Sequence, residues 1–304
     1  MIRLIDNRDI DREKWDCLLL TEKYPKPYSF SWYLDIMAPG WLACIKGDYD
    51  WIMPVLARKK FGISYLCMPA FSQQFNISCR HDESSCTDEI SEKLSSEFKL
   101  IDICIPRKPE NKKFKVSLKS NYTLDLSRSY ENIYKEYRRR CKRNIKLARS
   151  YMPEISGNCD PGEMVSLYRK NIGLRLPEIR DSDYSRLEKI IAYVLENNLG
   201  EAFCVRRRNG LIYASLIIKT GRTLCLFFIS TTELSHNERI GYFVTDHIIR
   251  KFAGNDYMLD FAGSSMPSIA YYNSSYGAIS EDYYRIYYNN LRWPIRLLKS
   301  SDKS

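Results

Sequence analysis

The chain has 304 residues, 44% of them hydrophobic, which argues for a globular fold of one large domain or two of ordinary size. Lysine and arginine outnumber aspartate and glutamate by 47 to 37, and the formal charge of +10 implies an anionic partner, with coenzyme phosphates, RNA and a membrane surface all open. No apolar run is long enough to span a bilayer, and MIRLIDNRDIDREKWD has neither an apolar signal region nor a small-residue cleavage site, so a cytoplasmic protein without a transmembrane segment is expected.

In chain order, Ile2 to Ile5 reads as a strand, and Trp15, Leu18 and Leu19 mark an amphipathic helix that Pro25 and Pro27 stop. Phe30 to Met37 is a second helix, ended by Pro39-Gly40. Trp41 to Lys46, Trp51 to Arg58 and Ile63 to Met68 are strands, with turns at Gly47-Asp48 and Phe61-Gly62. A helix over Glu89 to Phe98 and a strand over Leu100 to Ile105 follow. Pro106 to Lys115 (PRKPENKKFK) is charged and poor in apolar residues, and there the sequence places a boundary between domains 1–118 and 119–304.

The second half repeats the theme. Tyr130 to Arg149, Glu163 to Asn171 and Asp183 to Asn197 read as helices, the last with Leu187, Ile190, Ile191, Val194 and Leu195 on one face. Phe203 to Arg207, Tyr213 to Lys219 and Leu224 to Ser230 are strands, joined at Asn209-Gly210 and Thr220-Gly221. Ile240 to Phe252 is a helix. The segment DYMLDFAGSSMPSIAYYNSSYGAISEDYYRIYY then holds a short strand, a turn at Ala262-Gly263-Ser264-Ser265, a helix opened by Pro267 and closed at Gly277, and a final strand. Two copies of helices, three antiparallel strands, helix and strand make an internal duplication the economical reading.

Ten cysteines are scattered without a CxxC pair beside only three histidines, so neither a metal site nor a disulfide framework is expected. Cys44, Cys104, Cys204 and Cys225 fall in strand-like runs and read as small buried apolar residues rather than reactive thiols.

Asp260, Phe261, Gly263, Ser264, Ala270, Tyr271, Tyr272, Tyr276 and Gly277 resemble, in order and spacing, the strand–turn–helix unit of the FemAB-like branch of the GNAT acyltransferase superfamily. Pro39 to Trp41, Met68 to Ser78, Asn121 to Ser127 and the basic helix Tyr137 to Ser150 extend the resemblance over most of the chain. It implies an α+β protein of two tandem GNAT-like domains, each a mixed, mostly antiparallel sheet flanked by helices. The implied activity is transfer of an acyl or aminoacyl group from a CoA thioester or activated ester to an amine acceptor held between the domains. Alternatives are an aminoacyl-tRNA-dependent cell-wall precursor transferase and a non-catalytic binding protein of the same fold.

The resemblance also distributes candidate roles. Acetyl-CoA or another acyl-CoA is the expected donor, with its pyrophosphate at Arg239, Gly241 and Tyr242, where a helix begins and exposed N–H groups favour an anion. Backbone N–H groups of Phe228 to Thr231 are expected to hold the reacting carbonyl oxygen. Asn273 occupies the position where relatives carry a proton donor, so Tyr272, Tyr271 or Asp260 is left to substitute, against plain readings of a core aromatic and a turn-former. Gln73 and Gln74 are expected to orient the acceptor, Tyr271 to help bind it, and Arg143, which shares a helix face with Arg139, Lys142 and Lys146, to contact it or phosphates. The acceptor is a small molecule or a peptidoglycan or polysaccharide precursor, tRNA is a further partner, and DNA is not expected.

Overall fold

In the computed structural model, which describes residues 2–80, 86–263, 266–294 and 296, the chain divides into one unit of Met1–Lys119 with Asp282–Ser304 and another of Ser120–Glu281. The elements of the first part are β1 (Ile2–Asp6), α1 (Arg12–Leu20), α2 (Ser31–Met37), β2 (Leu42–Lys46), β3 (Trp51–Val55), β4 (Ala57–Lys60), β5 (Ile63–Cys67), β6 (Ser78–Cys79), α3 (Cys86–Glu97) and β7 (Leu100–Ile105). Then come β8 (Lys115–Asp125), α4 (Tyr130–Glu136), α5 (Arg139–Ser150), β9 (Ile155–Ser156), α6 (Pro161–Asn171), α7 (Asp181–Glu196), β10 (Gly200–Arg207), β11 (Gly210–Thr220) and β12 (Thr223–Thr231). The chain ends with α8 (Glu233–Asn237), α9 (Ile240–Phe252), β13 (Met258–Asp260), α10 (Pro267–Ser274) and β14 (Ile279–Asn289).

In the first unit β1, β2, β3 and β6 pair antiparallel. Pro54 fits inside β3 because β6 reaches only Trp51 and Ile52, so the missing N–H costs no ladder bond on that side. β5 pairs antiparallel with β4 and parallel with β7, which in turn pairs antiparallel with Tyr284–Asn289 of β14. Trp15 and Trp41 fill the core with ring centroids 4.9 Å apart, and each buried indole N–H finds an oxygen, on Ser29 and Asp35. Asp11 caps α1 by accepting from the Lys14 N–H at 3.0 Å.

The sheet of the second unit runs β8, β13, β12, β11, β10, β9, and only β12 and β13 are parallel. Its core gathers Leu124, Leu126, Val205, Ile217, Leu226, Val244, Ile248 and Tyr276, and α5 packs on α9. The second unit therefore holds the mixed, mostly antiparallel sheet with helices that the sequence predicts, and the first divides its strands between the antiparallel β1–β2–β3–β6 sheet and the mixed β4–β5–β7–β14 ladder. Among the described residues no helix is long and apolar enough to cross a membrane, and no cluster of three or more His, Cys, Asp or Glu could hold a metal ion.

Three expectations are corrected. Trp51 to Arg58 is two strands, β3 and β4, in separate ladders, because the Leu56 carbonyl between them accepts from the Cys67 N–H. Tyr130 to Arg149 is two helices. Tyr137 leaves helical geometry at ψ 133°, and the Arg138 N–H turns to the Ser275 carbonyl at 2.9 Å, a tertiary bond that outweighs local helix propensity. Cys159 and Cys204, expected as free thiols, form a disulfide: β10 pairs Cys204 with Ser156, which brings Cys159 within reach. Ser264 and Ser265 of the predicted turn lie outside the described residues. Just before them, Ala262 and Gly263 both adopt left-handed backbone, at φ 57° and 77°.

Candidate functional site

The charge of the second unit is concentrated on α5. Cys141, Asn144, Ile145 and Ala148 recur every three or four residues and bury one face, which leaves Arg139, Arg143 and Lys146 on the exposed side. With Tyr134, Arg138, Arg140, Lys142, Arg149 and Tyr271 they line an open cleft of about 1080 Å³. Of its seven cations only Arg149 is ion-paired among the described residues, to Asp246 at 3.0 Å. Asp246 is buried in α9 and also accepts from the Tyr130 hydroxyl at 2.7 Å, itself hydrogen-bonded by Arg250 at 3.1 Å. Six like charges on one surface repel one another and attract polyvalent anions.

The cleft has an aromatic side. Tyr271, on α10, is 40% exposed, with the Arg138 and Arg140 guanidiniums 5.0 and 6.0 Å from its ring centroid. The next residue, Tyr272, turns inward. Its hydroxyl donates to the Gly241 carbonyl at 2.8 Å and lies 2.8 Å from the Thr245 hydroxyl, tying α10 to the first turn of α9. Burial raises the Tyr272 phenol well above its ordinary value, and nearby Tyr213 adds to the shift, so it stays protonated. Tyr242 packs edge-on to Tyr272 with centroids 4.8 Å apart, and burial raises its phenol too, against a hydrogen bond with Asn144 of α5.

At the opening of α9 Arg239 adopts left-handed backbone, φ 60°, and its guanidinium bonds the His236 carbonyl at 3.0 Å. Gly241 needs neither positive φ nor extra space: a Cβ there would meet Tyr272 and Tyr213 at 3.5 and 3.6 Å, ordinary contact distances. The preceding Glu238 is buried, with its carboxylate 2.7 Å from Arg207. Paired with Arg207, this carboxylate brings no net charge to the turn.

β12 is paired unevenly. Against β11 it is hydrogen-bonded out to Thr231, but its parallel pairing with β13 covers only Thr223 to Cys225, and its register against β11 shifts at Leu216/Ile217. Leu226 to Thr231 therefore keep one ladder edge that β13 does not cover. This includes Phe228 to Thr231, where carbonyl-binding N–H groups are predicted.

Asp260, at the end of β13, is 1% exposed and accepts from the Ala262 N–H at 2.7 Å, which holds the left-handed turn in place. Asn273 is buried, and its Nδ2 has no hydrogen-bond partner among the described residues. The first unit holds Gln73 and Gln74. Gln74 is buried and donates to Gln73 at 3.4 Å, while Gln73 Nε2 and Gln74 Oε1 have no hydrogen-bond partner among the described residues.

The structure thus brings Arg143, Tyr242, Gly241, Tyr271 and Tyr272 to one end of the α5, α9 and α10 layer. Sequence reasoning missed Tyr213, Thr245 and Asp246. Asp246 had a legible signal, a lone acid among the apolar residues of IGYFVTDHIIRKF, since a buried carboxylate requires partners. Tyr213 and Ser215 carry buried hydroxyls on β11, and nothing local distinguishes them from core residues of an apolar strand.

Uneven pairing along β12, the packing of α5 on α9 and the order of strands and helices are those of a fold shared with solved structures of low sequence identity. The chain is similar to FemX, with TM-score 0.61 and 11% identity over 97% of this chain and 99% of that one. It is also similar to the C-terminal domain of a protein described as a lysylphosphatidylglycerol synthetase from Agrobacterium fabrum, with TM-score 0.55 and 6% identity over 96% and 94% of the two chains. L-PGS from Bacillus licheniformis gives TM-score 0.52 and 10% identity over 95% of each chain. No family model and no curated protein matches the sequence.

Proposed function

We propose that the chain transfers an aminoacyl or acyl group from a phosphate-bearing activated donor to an amine, with the donor seated in the basic cleft. The observation that carries this reading is the cleft itself, in which six cations without acidic partners among the described residues and an exposed tyrosine face about 1080 Å³ of open space. An aminoacyl-tRNA ester suits it best, because a phosphate chain can engage several of these cations at once. The FemAB-like fold supports acyl or aminoacyl transfer as the reaction class. The lysylphosphatidylglycerol synthetase neighbour, by its name, links this fold to a lysyl group and an anionic lipid. The acceptor here is a small molecule or a cell-envelope precursor bearing an amine.

In this scheme the neutral amine attacks the ester carbonyl carbon. A C–N bond forms, the C–O bond to the ribose breaks, and the proton lost by the amine ends on the departing ribose hydroxyl. N–H groups on the uncovered edge of β12 stabilise the negative charge on the carbonyl oxygen. Tyr272 and Asp260 act by position, Tyr272 by fixing α10 to α9 and Asp260 by holding the turn after β13. The Asn273 Nδ2 is an unused donor for a reacting oxygen.

Acyl-CoA is a second reading, favoured by Arg239 opening the 13-residue α9. Titration of the full chain with aminoacyl-tRNA, deacylated tRNA and acetyl-CoA tests both. Salt-sensitive tRNA binding that Arg143→Glu abolishes supports the first. A thermal shift with acetyl-CoA alone, about 2.7 kcal/mol at a hundredfold excess over Kd, favours the second. Binding of neither donor overturns the proposal.

A further inference from the structure

Within that reading of the cleft, we infer that Tyr271 is a nucleobase platform: the donor's terminal nucleotide stacks its base on the Tyr271 ring while its phosphates sit on Arg139, Arg143 and Lys146. The inference rests on the proposed transfer only for the identity of the donor.

Three observations carry it. Tyr271 stands among charged side chains at the rim of the cleft and is 40% exposed, while its neighbour Tyr272 is drawn into the interior. The Arg138 and Arg140 guanidiniums sit over the ring, 5.0 and 6.0 Å from its centroid, so a base that stacks on Tyr271 takes the place of a guanidinium and leaves that cation beside the donor's phosphates. Both can yield that place, because neither is paired with a carboxylate among the described residues. The platform is also rigid, since the Arg138 N–H bonds the Ser275 carbonyl at 2.9 Å and Tyr272 anchors the same helix from its inner side. A rigid aromatic ring beside a line of free cations combines the two features by which proteins hold unpaired nucleotides, stacking and phosphate neutralisation.

The shared chemistry is a nucleoside with adjacent phosphates, which an RNA 3′ end and coenzyme A both present. The test uses the full-length chain and its Tyr271→Ala and Tyr271→Phe variants, with adenosine 3′,5′-bisphosphate and inorganic pyrophosphate as probes. Tyr271→Ala should weaken the bisphosphate about 5- to 150-fold, the span for losing one stacked base, and leave pyrophosphate unchanged, while Tyr271→Phe should bind both as the parent does. Equal loss of both probes in Tyr271→Ala, or no loss of either, overturns the platform. Two further ligands separate the sources: a short RNA hairpin with an unpaired 3′ end and coenzyme A, of which the true donor type shows the Tyr271→Ala loss. If the platform result holds but no aminoacyl or acyl transfer occurs from any donor, the proposed reaction fails and the nucleotide site stands. If transfer proceeds with Tyr271→Ala as fast as with the parent at subsaturating donor, the platform alone fails.

Discussion

Arg149 lines the basic cleft with a half-exposed side chain, yet its guanidinium ends 3.0 Å from Asp246, a carboxylate whose side chain is 2% exposed. The pair joins α5 to α9 and makes Asp246 the buried counter-charge of the cleft. Asp246→Ala should therefore cost about 1.5–3 kcal/mol, because both Arg149 and the Tyr130 hydroxyl lose a charged acceptor. Asp246→Asn, which keeps an acceptor oxygen, should cost less. Urea denaturation of the two variants checks the order, and equal stability to the parent would remove Asp246 from this role.

Gly277 and Gly254 separate two reasons for needing glycine. Both have positive φ, 82° and 79°, but a Cβ on Gly277 would lie 3.0 Å from Glu136 Cβ, while one on Gly254 would meet nothing within 4 Å. Gly254→Ala should cost about 1–2 kcal/mol from backbone strain alone. Gly277→Ala should cost a further ~1 kcal/mol or more, because α4 must move aside. Thermal unfolding of the pair measures the difference.

Alkaline stability should report on Tyr213. Burial pushes its phenol up to about 12, from an ordinary value of 10. The folded chain then keeps a proton that the unfolded chain releases above pH 10, so this contribution to stability is complete below pH 10 and is lost between pH 10 and about 12. Tyr130 and Tyr168 behave alike, so the parent should weaken steeply over that window and Tyr213→Phe less steeply. Unfolding free energies across the window provide the comparison, and identical slopes would contradict the assignment.

Charge in the cleft should be countable. If Arg139, Arg143 and Lys146 each neutralise one phosphate of a bound RNA, replacing any of them with glutamine should reduce the slope of log K against log salt by about one. Replacing Lys135, which bonds Asn132 on α4 and does not line the cleft, should leave the slope unchanged. Fluorescence anisotropy at several salt concentrations reads both.

How much of this was legible in the sequence depends on how local each cause is. The strand Leu100–Ile105 and the helix Ile240–Phe252 match their predicted bounds, because apolar periodicity and turn residues act within a few positions. The basic face of α5 was equally plain. The break between α4 and α5 was not, since no proline or glycine marks it and its cause is a carbonyl more than a hundred residues away at Ser275. The Cys159–Cys204 disulfide was hidden for the same reason, its halves 45 residues apart. At the candidate site the sequence singled out Tyr271, Tyr272 and Gly241 as expectations. It did not reveal that the Tyr272 hydroxyl is engaged by Gly241 and Thr245, a fact of direction that spacing does not encode.

The bond from the Arg138 N–H to the Ser275 carbonyl has one more consequence. It is made by main-chain atoms, so it survives any side-chain replacement that leaves the backbone in place, and with it survives the juxtaposition of α5 and α10. The shape of the cleft and its electrical character are thus set by different atoms. Lysines and arginines along α5 can be traded, one at a time, to retune the strength and salt sensitivity of anion capture while the scaffold stays as it is. An engineer, or selection, can change what this surface holds without having to refold it.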